Sequence, residues 1–149
     1  MKKENIINSE NPKKGAEFQK QVQQWFQQYY GRAFKLEEKI AIGNPPKFHK
    51  FDIVDVNNSI VIECKSYTWT ETGNVPSAKM GFCNEAAFYL SFLSNEYEKY
   101  IVLLYSWNER RNETLAEYYF RTNNHLLGKT KIAEYNPKDN KLRIIGSSD

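Results

Sequence analysis

At 149 residues, with a formal net charge of +3 and a pI near 8.7, the chain is long enough for one domain with a real core and only mildly cationic. No stretch is long and apolar enough to span a membrane, and the opening MKKENIINSE lacks a signal peptide's apolar region. Cys64 and Cys83 both fall in apolar contexts, which predicts buried thiols in a reducing cytoplasm and not a disulfide or a zinc set.

Residues 1–11 are expected to be a flexible N-terminus ahead of a single domain over 12–149, since no repeat, low-complexity segment or linker divides the rest. Asn11-Pro12 reads as a helix start, with Asn11 as the cap and Pro12 at the first helical position. Over KGAEFQKQVQQWFQQY, Phe18, Val22, Trp25, Phe26 and Tyr29 recur at the helical period as an apolar stripe. Glu17 lies beside that stripe, in line with Gln21 and Gln28, and on its own reads as a solvated residue favoured by the helix dipole.

In AFKLEEKIAI, residues 33–42, Phe34, Leu36, Ile40 and Ile42 alternate with polar partners, which predicts a half-buried strand. Glu38 interrupts the apolar face, either as a strand-edge charge or as a further acid at a site rim. Gly43-Asn44-Pro45-Pro46 breaks the strand, and Lys47, His49 and Lys50 lead into the next one. His49 is read as an exposed histidine, with phosphate contact as the alternative.

The centre of the chain is FDIVDVNNSIVIECK, residues 51–65. Isoleucine and valine dominate both runs, and Asn57-Asn58 suits a two-residue turn because asparagine tolerates left-handed backbone. That turn sets Val56 opposite Ser59 and therefore Asp52 opposite Glu63, about 5 Å apart on one face. Lys65 follows Glu63 by two residues and shares the face, whereas Asp55 has the opposite parity and points away. Two carboxylates that close repel. A divalent cation with a taste for oxygen, magnesium or manganese, would compensate them, with Lys65 beside it. A plain ion pair between Lys65 and one carboxylate is the competing account.

After Lys65, SYTWTETGNVPS is rich in hydroxyls and aromatics. Tyr67 and Trp69 keep the parity of Lys65 and could stack on unpaired bases, or Trp69 could pack on the next helix. Ser77 is the expected cap of that helix, whose buried stripe is Met80, Cys83, Ala87, Leu90 and Leu93. Lys79 in its first turn opposes the dipole, so a local anion such as a DNA phosphate would be welcome. Asn84, Glu85 and Tyr89 could also reach the site. YIVLLY at 100–105 predicts a buried strand, ETLAEYYFRTNNHLL a helix near 113–127 closed by Gly128, and KIAEY with KLRII a hairpin. Basic residues gather at Lys13-Lys14, Lys47 to Lys50 and Arg110-Arg111, and each group could follow a phosphate backbone or be solvated surface.

Asp52 followed by Glu63-Cys64-Lys65 resembles the signature of the PD-(D/E)xK nucleases, the restriction-endonuclease-like superfamily, with Phe51 standing where the family usually has proline. The order helix, three strands, helix, strand over roughly 12–106 is similar to that family's core, with a C-terminal helix and hairpin added. The resemblance implies an α/β fold of that type and a magnesium-dependent endonuclease acting on DNA. Manganese is an expected substitute for magnesium. Asp52, Glu63 and the Cys64 carbonyl would hold the metal, and Lys65 would place a water and steady phosphate charge. KGAEF is similar to the family's first-helix segment, which implies that Glu17 approaches the metal. Lys14, Lys50, Tyr67, Trp69 and Lys79 are the expected DNA contacts, with a homodimer as an option and no membrane partner. Junction-resolvase-like and restriction or defence roles both fit, and a non-catalytic module of the same fold or a nuclease acting on RNA are the alternatives.

Overall fold

Isoleucine, valine and leucine at 53–54, 60–62 and 101–103 leave both faces of their strands apolar, so these strands need cover on each side. The computed structural model describes residues 2–146, with side chains from residue 12 onward. It is a mixed α/β fold. Helix α1 (Lys2–Tyr30) precedes strands β1 (Phe34–Ile42), β2 (Lys47–Asp55) and β3 (Ile60–Lys65), and α2 (Ser77–Ser91) leads to β4 (Glu98–Leu104). A short hairpin of β5 (Trp107–Asn108) and β6 (Glu113–Thr114) precedes α3 (Leu115–Asn123), and β7 (Lys131–Asn136) and β8 (Lys141–Ile144) follow. The main sheet runs β1-β2-β3-β4-β7-β8. In it β3, β4 and β7 are parallel neighbours and the remaining pairs are antiparallel.

Helices cover both faces. On one side Phe18, Val22 and Phe26 of α1 pack with Phe34, Ile53, Ile60, Ile62 and Val102. On the other, Met80, Cys83 and Leu90 of α2 and Leu115 and Tyr119 of α3 pack with Val54, Val61, Ile101 and Leu103. Among the described residues no helix is long and apolar enough to cross a membrane.

Several local expectations are corrected. The helix start expected at Asn11-Pro12 is an interior position, because α1 is already helical from Lys2; Pro12 removes one N–H donor without ending it. Tyr29 leaves the predicted apolar stripe, 68% exposed and stacked on Trp25 at 5.0 Å. Ser77 makes no capping bond; Pro76 occupies the cap position and Ser77 is the first helical residue. Helix α3 is shorter than 113–127, because Thr114 and Glu117 form a capping box at its start. Asn123 ends it and a 3-10 turn, Asn124–Leu126, follows. Gly128, expected to close the helix, instead follows the 3-10 turn, at φ 56°.

The β2–β3 turn is wider than Asn57-Asn58 alone. The Asn58 N–H donates to the Asp55 carbonyl at 3.0 Å, and Asn58 takes the left-handed conformation at φ 52°. The Asp55 carboxylate anchors the turn. It accepts from the Ser59 N–H at 2.6 Å, the Ile60 N–H at 2.8 Å and Arg32 Nε at 2.9 Å. The expected register survives this change, with Ile53 opposite Ile62 and Val54 opposite Val61, which puts Asp52 across from Glu63. Asp55 points away from that pair, as its parity requires, and is fully buried.

Removing the Asp55 carboxylate would strand the Arg32 charge and two backbone donors. We expect Asp55→Ala to lower stability by roughly 3 kcal/mol in urea denaturation, the scale for breaking a buried ion pair. A change no larger than that of an ordinary surface substitution would show that the turn does not depend on it.

Candidate metal and phosphate site

Asp52 and Glu63 meet where the β2–β3 ladder gives out. Its regular pairs are Val54–Val61 and Ile53–Ile62, and one step further the acids take over the hydrogen bonding. The Asp52 N–H donates to Glu63 Oε2 at 2.8 Å, and the Cys64 N–H donates to Asp52 Oδ2 at 2.8 Å. Each carboxylate therefore commits one oxygen to a backbone donor of the opposite strand. The other oxygens, Asp52 Oδ1 and Glu63 Oε1, accept nothing from the described residues and are not sealed inside the protein.

The β1–β2 ladder breaks at the same row. Its pairs step from Leu36–Ile53 to Glu38–Phe51 and pass over Glu37, which lies across from Asp52 with φ 55°. Leu36 and Ile53 pack on the α1 side, whereas Ile40 and Phe51 pack on the α2 side. Regular alternation would keep Leu36 with Ile40, and Phe51 with Ile53. Both strands turn over here, and Asp52 sits at the pivot. Gln19 of α1 fixes the pivot from behind, donating from Nε2 to the Asp52 carbonyl at 3.0 Å.

The electrostatics follow from burial. Glu63 is 7% exposed, and desolvation followed by the charge of Asp52 pushes its carboxyl up to about 8. Desolvation also raises Asp52, opposed by the Cys64 N–H and the Lys65 ammonium. Lys65 projects from the same face as Glu63, toward α2, and its charge is felt by Asp52, Glu63, His49 and Cys83. Yet among the described residues no ion pair within 4.0 Å ties it to either carboxylate, so the plain ion-pair account of Lys65 is not what is found.

Donor chemistry fits a hard cation. Two carboxylate oxygens remain uncommitted. The Cys64 carbonyl faces the same gap, since a strand residue points its N–H and C=O to the same edge and the Cys64 N–H points at Asp52. Among the described residues no group of three or more His, Cys, Asp and Glu side chains forms a cage. Magnesium does not need one, because it keeps several waters and is commonly held by one or two carboxylates plus substrate phosphates.

The other expected residues divide. Tyr67 is half-buried near Asp52, with the Lys79 ammonium 4.9 Å over its ring. Lys14, Glu17, Tyr67 and Lys79 line one open cavity of about 600 Å³ beside the end of β3. Glu17 is exposed on the α1 wall of that cavity, and the outside charges acting on Asp52 and Glu63 come from Lys65, Glu37 and His49. Lys50 pairs with Glu37 at 3.4 Å, and Glu38 pairs with Lys35 at 3.5 Å at the strand edge. Trp69 is corrected: it is 7% exposed, donates from Nε1 to the Ser106 carbonyl at 3.0 Å and packs on Tyr118, so its ring is core and not a base platform.

His49 is corrected as well. It is not a lone exposed side chain but lies flat on Tyr89 at 3.8 Å and edge-on to Phe51 at 4.7 Å. Burial lowers its pKa, while Asp52 and Glu85 raise it. Asn84 turns away from this cluster and accepts from the Tyr119 hydroxyl at 2.8 Å. Both cysteines are free thiols; Cys83 is buried under α2, whereas Cys64 is only partly buried, on the opposite face. Glu37 went unnoticed in the sequence. Its charge is ordinary for a strand edge, and only the pairing register puts it opposite Asp52.

The chain matches no family model, no curated protein and no solved structure.

Glu63 yields a pH prediction. Its folded value near 8 exceeds the 4.5 of the free side chain, so the folded protein holds a proton that the unfolded chain has released between those values. Stability from this group is therefore full at low pH and declines as pH rises toward 8. The metal-free protein should lose urea resistance from about pH 5 to about pH 8, and Glu63→Gln should flatten the decline. An equal decline in Glu63→Gln would mean that Glu63 is not the titrating group.

Proposed function

We propose that this chain is a divalent-metal-dependent phosphodiesterase that hydrolyses DNA, built on a restriction-endonuclease-like core. The observation that carries this reading is the row at which β2 and β3 part. There Asp52 and Glu63 each keep one oxygen uncommitted, and a lysine on the same face is not locked to either. Structural acids in a sheet would be neutralised by close partners, as Asp55 is by Arg32.

Asp52, Glu63 and the Cys64 carbonyl would hold a magnesium ion, with manganese as a substitute. When bound, such an ion neutralises phosphate charge and lowers the pKa of a bound water. Lys65 then has two tasks that its ammonium can combine: orienting the attacking water and stabilising negative charge on a non-bridging phosphate oxygen. Tyr67, Lys79 and Lys14 would take the neighbouring phosphates along the cavity, and Glu17 would order a water at its α1 wall. The pivot at Asp52 keeps the acids in place without substrate, because the reciprocal backbone bonds fix both carboxylates.

A second reading has the acids only closing the ladder in a non-catalytic DNA-binding module. The same reciprocal bonds favour it. Incubation of the purified protein with linear, branched and single-stranded DNA, and with RNA, with and without magnesium, separates the two and exposes a preference for RNA.

Lys65 gives the sharper test. Arginine keeps the charge but is larger and forked, and methionine keeps much of the length without charge. Lys65→Arg and Lys65→Met should each slow cleavage by roughly a hundredfold or more, the scale of electrostatic catalytic groups. DNA affinity with calcium in place of magnesium should hardly change, since one phosphate contact among several is a small share of binding. Asp52→Ala and Glu63→Ala should abolish cleavage. Normal cleavage in both lysine variants, or affinity lost in step with rate, would refute the assignment.

A further inference from the structure

Beyond its junction with β3, the β1–β2 hairpin becomes an arm. The β2–β3 ladder pairs Ile53 and Val54, so among the described residues β2 from Lys47 to Phe51 pairs with β1 alone. At about 3.4 Å per residue this outer part is roughly 20 Å long. A lone two-stranded ribbon is marginal in water and needs cover on one face. That cover comes from the α2 side: Ile40 and Ile42 pack on the core there, and His49 lies on Tyr89.

The opposite face carries Lys39 across from Lys50 and Ala41 across from Phe48. All four residues are exposed, Phe48 by 70%. Like charges directly opposed across a ladder repel each other. Lys50 does reach Glu37 at 3.4 Å, but both side chains are more than half exposed, and such surface pairs contribute little. The phenyl ring of Phe48 faces only a methyl group across the ladder. Two opposed cations beside an uncovered ring make a poor free surface and a good match for a polyanion that also offers flat apolar faces.

We propose that this arm grips the DNA flanking the cleaved phosphate, with Lys39 and Lys50 on backbone phosphates and Phe48 stacked on an unpaired base. The inference rests on the phosphodiesterase reading and adds to it a binding element and a substrate class, DNA with a single-stranded flank. Its position suits the task. Lys50 lies two residues from Asp52, so the root of the arm is at the reacting site and its outer face leads away from it. Each lysine that neutralises a phosphate releases counterions, which makes its contribution visible in the salt dependence of binding. Stacking by Phe48 adds affinity without adding to that dependence.

The test uses the full chain with calcium in place of magnesium and a fluorescein-labelled duplex bearing a single-stranded flank, titrated over a salt series. In Lys39→Gln/Lys50→Gln the slope of log affinity against log salt should become shallower by about 1.5, the sum expected for two phosphate contacts. Phe48→Ala should weaken binding about tenfold with the slope unchanged. Lys129→Gln/Lys131→Gln removes the same charge at the start of β7, the end of the parallel strands away from Lys65, and should leave the slope as it was. The arm is refuted if its double variant gives the slope of the unmodified chain or if Phe48→Ala binds normally. In that case wild-type protein that still binds and cleaves DNA leaves the phosphodiesterase reading standing. Wild-type protein that binds no nucleic acid at all overturns both.

Discussion

Placing two carboxylates side by side at the edge of an apolar core is the constraint on which the rest depends. As two anions Asp52 and Glu63 repel each other, and neither has a cation within ion-pair distance among the described residues. Among the described residues their hydrogen bonds come from the backbone: each accepts an N–H from the opposing strand. Those N–H groups are drawn away from regular strand pairing, so satisfying the acids goes with the end of the β2–β3 ladder at that row. The parting of β2 from β3, the left-handed Glu37 and the exchange of faces along β1 and β2 all fall at the same row.

Asp55 makes the contrast within one strand. It is more completely buried than Asp52, yet its carboxyl is held below the usual range, while that of Asp52 is raised. Desolvation raises both. The difference lies in the partners, since Asp55 receives Arg32, the Ser59 hydroxyl and two backbone N–H groups. Three residues apart, one aspartate is a finished structural part and the other is left incomplete. Incompleteness in a buried acid is a cost to stability that a binding partner can offset.

The sequence made the register legible because alternation has a period of two and both strands carry strong β-formers. Asp52 opposite Glu63 followed even though the turn was misjudged, because the wider turn anchored on Asp55 leaves the same residues facing each other. What escaped was local departure from regularity. A strand read by alternation cannot reveal that it turns over at Glu37 and Asp52, so the place of Glu37 was hidden. Alternation is equally silent on Trp69, for which packing is one of two open readings, and on His49. Whether an aromatic ring after a strand is a platform or core depends on what crosses it, here Ser106 and Tyr118 for Trp69 and Tyr89 for His49.

The state of Lys65 is what separates a structural ion cluster from a reactive one. A lysine kept only for stability beside two buried carboxylates would close to contact, since each step nearer gains Coulomb energy in a medium less polar than water. Lys65 sits near enough to lower both acids and far enough to form no ion pair with either. That separation is what the proposed site requires, since a water, a cation and a phosphate oxygen must fit beside the lysine. The backbone bonds to Asp52 and Glu63 hold both acids in place on their strands. The same two hydrogen bonds that make the acids tolerable beside an apolar core thus also decide which oxygens, Asp52 Oδ1 and Glu63 Oε1, are left for a cation.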